Sequence, residues 1–88
     1  MHFEFGKPIS EKLSKALRSH ISKNDIADIA LISNVGTSTL RDVVYRRNSV
    51  TENNYKAVID LTERALQNCH ETRQKFLSNE KFLSKITK

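Results

Sequence analysis

Apolar residues recur along most of this chain at intervals of three and four positions, the spacing that gathers side chains on one face of an α-helix. Leu13, Ala16, Leu17, His20 and Ile21 form the first such face. Ser10 is placed as its N-cap and Glu11 lies near the positive end of the helix dipole, so a core-facing helix is predicted there. Asn24 offers a second cap, with Asp25 and Asp28 early in the helix and Ile26, Ile29 and Ala30 as a stripe about two turns long. Ile32-Ser33-Asn34-Val35-Gly36 interrupts that stripe, and helical spacing resumes from Thr37 to Arg47 through Leu40, Val43 and Val44. Thr51 caps the next predicted helix, whose Tyr55, Val58, Ile59, Thr62, Ala65, Leu66 and Cys69 make the cleanest amphipathic face in the chain. It is expected to run to Ser78. Lys75-Phe76-Leu77-Ser78 then returns as Lys81-Phe82-Leu83-Ser84, which reads as a break near Asn79 followed by a short basic amphipathic helix. Ahead of all these, His2-Phe3-Glu4-Phe5 alternates as an edge strand would, or as an arm laying its Phe side chains over the core, until Gly6 and Pro8 end it.

The pattern predicts an all-α fold of four to five helices around a helix-turn-helix. One domain covers residues 1–88: an N-terminal arm over 1–9, a helical core over 10–71 and a basic amphipathic segment over 72–88. Two Gly and one Pro leave little turn material for a many-stranded sheet, which agrees with that reading.

Charge narrows the choice of partner. Fifteen Lys plus Arg against ten Asp plus Glu give a formal net charge of +5, and this favours an anionic partner, nucleic acid or membrane surface. No segment resembles a signal peptide or a membrane-spanning apolar run, so a cytoplasmic location and no membrane partner are expected. The lone Cys69 has no intrachain partner for a disulfide. His2, His20 and His70 are scattered, and Cys69-His70 lacks further spaced ligands, so neither a metal nor a cofactor is expected. The chain shows no Gly-rich phosphate loop, paired carboxylates or nucleophile-base arrangement, which points away from an enzyme.

A helix-turn-helix needs a small residue where its helices approach, a residue tolerant of positive φ four positions later, and an inward-facing apolar residue ten after the small one. Ala30, Asn34 and Leu40 meet both spacings, and Asn is the commonest substitute for Gly in the left-handed conformation. Anchoring the turn on Gly36 instead would put Ile32 at the close approach and Asp42 in the core.

The segment Asp28-Ile29-Ala30-Leu31-Ile32-Ser33-Asn34-Val35-Gly36-Thr37-Ser38-Thr39-Leu40-Arg41-Asp42-Val43-Val44 resembles, without a gap, the DNA-binding headpiece of lactose-repressor-type regulators. Val50-Thr51 matches the opening of that family's third helix and Val58 an apolar core position within it. Gly36 departs from the family's Ser at the cap, and the 88 residues hold no counterpart of its hinge or sugar-binding domain, so sugar sensing is not carried over. The resemblance implies that Thr37 to Arg47 is a recognition helix whose first turns enter the major groove. Thr37, Ser38, Arg41 and Asp42 then occupy base-reading positions, Thr39 is counted with them, and Tyr45 and Ser49 lie farther along the same surface. Arg46 and Arg47 are expected on phosphates. Asp42 would accept from cytosine N4 or orient Arg41 or Arg46.

The function so implied is sequence-specific binding of double-stranded DNA in transcriptional control, in the style of a small bacterial or mobile-element regulator. A homodimer is expected through Phe76, Leu77, Phe82, Leu83 and Ile86, because one recognition helix reads only a few base pairs. The alternative is a small helical protein-interaction module of the antitoxin or adaptor kind, meeting an acidic partner with its basic surface.

Overall fold

The computed structural model describes residues 3–86. Met1 and His2, the start of the expected arm, and Thr87 and Lys88, the end of the 72–88 segment, lie outside the described residues. The fold is all-α, with four helices and no strand among the described residues: α1 (Glu11–His20), α2 (Lys23–Ser33), α3 (Thr37–Val44) and α4 (Tyr55–Ile86).

α1 starts where the sequence places it, with the Ser10 hydroxyl accepting a hydrogen bond from the Leu13 amide at 3.1 Å. Its buried face differs by one position, for Ala16 is exposed and Ser14 is buried beside Leu17. The rotation lets the Ser14 hydroxyl donate to the Val44 carbonyl at 2.6 Å, which satisfies one of the open carbonyls at the end of α3. α2 begins with Ser22 as its cap in place of Asn24. Ser22 and Asp25 form a capping box, in which the Ser22 hydroxyl accepts from the Asp25 amide and the Asp25 carboxylate from the Ser22 amide.

The turn after α2 follows the predicted chemistry. Asn34 lies in the left-handed region at φ 55°, ψ 40°. Its N–H donates to Leu31 O at 3.4 Å, while the Val35 N–H reaches back to Ala30 O at 3.0 Å. This is the paired bonding of a Schellman end, which occupies the last carbonyls of the helix. Gly36 then opens α3.

α3 stops at Val44, three residues before the expected Arg47. A second left-handed residue ends it: Arg46 has φ 61°, with Arg46 N bonded to Val43 O and Arg47 N to Asp42 O, the same paired pattern. A side chain with a Cβ pays about 1–2 kcal/mol in that conformation. The Arg46 Nε donates to the Ile9 carbonyl at 2.7 Å and thereby offsets the strain.

α4 is one unbroken helix of 32 residues, so the break expected near Asn79 is absent. No Gly or Pro interrupts Tyr55 to Ile86, and Asn within a helix costs less than about 0.7 kcal/mol relative to Ala. Thr51 does not cap it directly. The Asn54 side chain accepts from the Thr51 N–H at 2.8 Å, and a turn over 52–54 leads into the helix. The inward face carries Ala57, Val58, Leu61 and Ala65, whereas the expected Tyr55, Leu66 and Cys69 are exposed.

The core is shared by all four helices, with Leu17, Leu40 and Leu61 at its centre and Ile9 and Val50 closing it from the loops. The arm is not a strand. Its backbone is tied by Gly6 N to Val50 O and Val50 N to Lys7 O, while Phe3 packs partly against the core and Phe5 rests on the Tyr55 ring at 5.4 Å. α2 is clamped to α4 through Asp25, which accepts from Arg64 at 2.8 Å and from Asn68 at 3.1 Å. Asn68 also donates to the His20 carbonyl, bringing in the end of α1. No helix among the described residues is long and apolar enough to cross a membrane.

The Ser22 backbone N–H first, then Arg64, Ser22 Oγ and Asn68, hold the Asp25 carboxyl below its ordinary value of 3.8, against the opposing effect of burial. A depressed folded-state pKa contributes stability above the ordinary value, and the contribution is lost as pH falls below it. Asp25→Asn is therefore expected to lower unfolding free energy at neutral pH by about 1–3 kcal/mol in urea titrations. The variant should also lose less stability than the parent on acidification below pH 3.8; equal acid sensitivity would contradict this clamp.

Candidate nucleic-acid interface

α3 turns Leu40, Val43 and Val44 into the core and leaves its other face in solvent. Helical periodicity puts Thr37, Ser38, Arg41, Asp42 and Tyr45 on that outer face, with Thr39 at one edge. Thr37, Ser38, Thr39, Arg41 and Tyr45 are exposed and Asp42 is half-buried. The surface is made of hydroxyls, one guanidinium, one carboxylate and one phenol. A single aromatic ring, that of Tyr45, is its only large apolar element.

Asp42 does not orient Arg41 or Arg46. It lies 3.5 Å from the Arg47 Nε, and the Arg41 guanidinium has no ion-pair partner among the described residues. Arg46, expected on phosphates, is tied to the Ile9 carbonyl and meets the Glu11 carboxylate at 3.4 Å. Arg47 places its guanidinium 5.2 Å from the Tyr45 ring centre, and Arg18 of α1 approaches that ring at 5.7 Å. Each contact is within cation–π range.

Two open grooves border this face. One runs beside Thr39 and is lined by uncharged hydrogen-bonding side chains, among them Asn34, Asn48, Ser49, Thr51 and Asn53. Ser49 thus joins the turn of the helix-turn-helix. The other groove, of about 740 Å³, lies between α1 and the C-terminal end of α3 and is lined by Lys12, Lys15, Arg18, Tyr45 and Arg46 with Glu11. Its α1 residues were not indicated by the sequence, because they lie upstream of the segment that resembles the lactose-repressor type. The available signal was the spacing Lys12, Lys15, Arg18, which repeats a cation every three residues along one side of a helix.

His20 and His70 sit on different helices, and no group of three or more His, Cys, Asp or Glu able to hold a metal ion occurs among the described residues. No family model, curated protein or solved structure matches the chain.

The left-handed Arg46 gives a direct check on how the end of α3 is built. Arg46→Ala keeps the unfavourable φ and loses the bond to Ile9, whereas Arg46→Gly loses the bond but relieves the backbone. Gly is therefore expected to leave the protein about 1 kcal/mol more stable than Ala by chemical denaturation. An advantage for Ala would show that residue 46 is not left-handed in solution.

Proposed function

We propose that the chain is a sequence-specific DNA-binding regulator of transcription in which α3 enters the major groove. One observation carries the reading. α2 and α3 are joined by the three residues Asn34–Gly36, the first left-handed, and the outer face of α3 so presented is polar, with the Arg41 guanidinium in no ion pair among the described residues. Arg41 reads guanine through two parallel hydrogen bonds, Ser38 bonds to base edges, and the methyl groups of Thr37 and Thr39 suit thymine. Asp42 accepts from cytosine N4 when the duplex draws Arg47 onto a phosphate. The neutral groove around Ser49 supplies donors to backbone oxygens on the other flank.

The protein acts as a homodimer paired through the distal part of α4. The inward stripe of Ala57, Val58, Leu61 and Ala65 continues in phase through Thr72, Phe76, Asn79, Leu83 and Ile86, yet every residue from 69 to 86 is exposed. Phe76, Leu77, Phe82, Leu83 and Ile86 are each 46–68 % accessible. With a whole aromatic side chain covering about 150–250 Å², this amounts to roughly 500 Å² per chain, toward the upper end of the largest patch on a typical monomer. Two copies then bury roughly 1,000 Å², the threshold of a specific interface. A long α4, about 48 Å by its rise per residue, also sets two α3 helices apart on successive half-sites.

A second reading is favoured by Leu31 and Ile32, which stand adjacent and exposed on α2. A protein-interaction module would use them as anchors for a partner.

Duplex binding separates the two. Affinity for DNA is expected to fall with salt at a logarithmic slope of about −0.9 per phosphate contacted. Arg41→Ala should cost about 1–3 kcal/mol on the preferred site and little on scrambled DNA. Salt-independent affinity, or DNA binding abolished by Leu31→Ser but untouched by Arg41→Ala, would favour the module.

Sedimentation equilibrium addresses the dimer. The intact chain should be dimeric at micromolar concentration, and Phe76→Glu with Phe82→Glu should leave a folded monomer. A dimer that persists in the double variant would place the interface elsewhere.

A further inference from the structure

We propose that α1 carries a second, sequence-independent contact to the duplex, in which Lys12, Lys15 and Arg18 together with Arg47 hold sugar-phosphate oxygens beside the C-terminal end of α3. The inference rests on the DNA-binding reading above and extends it to a helix outside the headpiece-like segment.

α1 is fixed in place for this role. The buried Ser14 hydroxyl bonds to Val44 O at 2.6 Å, so the side of α1 that bears Lys15 and Arg18 is held next to the outer face of α3. Arg18 and Arg47 both reach the same Tyr45 ring, at 5.7 and 5.2 Å. Two guanidiniums gathered at one exposed ring repel each other, and a cation–π contact returns only about 0.5–1 kcal/mol to each at such a site. An anion between them converts that repulsion into attraction.

The groove also holds fewer counter-charges than cations. Lys12, Lys15 and Arg18 form no ion pair among the described residues, and the nearby Glu11 and Asp42 are engaged by Arg46 and Arg47 at 3.4 and 3.5 Å. Four cations, Lys12, Lys15, Arg18 and Arg46, therefore line an open groove against the single carboxylate of Glu11, and Arg47 reaches its Tyr45 wall, a surplus fitted to a linear polyanion. The groove is continuous with the face of α3 through Tyr45, so a duplex seated on α3 brings its phosphates to α1. Such contacts fix orientation and carry no sequence information.

Fluorescence anisotropy with a labelled duplex tests this on the full chain, over about 50 to 200 mM KCl. Lys15→Gln with Arg18→Gln removes two of the cations at exposed helix positions, and circular dichroism confirms the fold. The double variant should show a slope shallower by about 1.8, which makes its loss of affinity over that range about tenfold smaller than the parent's. Preference for the chosen site over scrambled DNA should be unchanged. Lys81→Gln with Lys85→Gln, at the far end of α4, removes the same charge and should keep the parental slope. Inorganic phosphate at the same ionic strength as KCl should compete no better than the salt, because the groove recognises a chain of phosphates and not a free ion. An unchanged slope in the α1 variant, an equal loss in the α4 variant or selective displacement by free phosphate would each overturn the contact while leaving the α3 reading intact. A parent that binds no duplex at any salt would overturn both.

Discussion

The left-handed turn at Asn34 decides where α2 stops and which side of α3 is buried. Because that one residue takes φ 55°, the Asn34 and Val35 amides can return to Leu31 O and Ala30 O, and α2 ends without exposing those carbonyls. α3 can then begin at Thr37 and send Leu40 back into the core. Asn performs this at little cost because its short polar side chain tolerates the left-handed region better than other residues with a Cβ. A continuous helix across residues 33–40 would rotate Leu40, Val43 and Val44 to a different side and leave the core without its centre. The exposure of Thr37, Ser38 and Arg41 is thus a consequence of burying Leu40.

A second left-handed residue, Arg46, does for the C-terminal end of α3 what Asn34 does for its beginning. Here the residue type is unfavourable, and three elements combine to hold it: the Asp42 and Val43 carbonyls, the Ile9 carbonyl that takes the Arg46 Nε, and α1, whose Ser14 bonds Val44 O. The N-terminal region is therefore joined to the C-terminal end of α3 by hydrogen bonds at Val44 and Arg46. Asp25 performs a similar task at the other side of the molecule, tying α2 to α4 through Arg64 and Asn68. Between these ties α3 is held from both sides, which suits the proposed contact with base edges.

Much of this was legible in the sequence because it rests on local chemistry. Ser10 as a cap, Asn34 as the turn residue and the inward Leu40, Val43 and Val44 all follow from spacing and from what each side chain can do near its own backbone. The misjudged features depend on partners distant in sequence. Ser14 replaces Ala16 at the core because a carbonyl 30 residues away receives its hydroxyl. Arg46 ends α3 because Ile9 holds its side chain, and nothing in Tyr45-Arg46-Arg47 signals a left-handed residue. Ser22 outcompetes Asn24 as a cap because Asp25 can answer it in a capping box. In α4 the repeat of Lys-Phe-Leu-Ser suggested two helices, but with no Gly or Pro between them the hydrogen bonding simply continues. At the candidate interface the outer face of α3 was visible from periodicity, while the α1 cations became neighbours of Tyr45 only through folding.

The proposal stands or falls on whether the outer face of α3 meets DNA. Titrating the ¹⁵N-labelled chain with a duplex and following amide chemical shifts tests it residue by residue. The largest shifts are expected from Thr37 to Asp42, with weaker ones at Ser49 and along α1 near Lys15 and Arg18, and none at the Asp25–Arg64 clamp. Shifts concentrated at Leu31, Ile32 or the distal part of α4, with α3 unmoved, would contradict it.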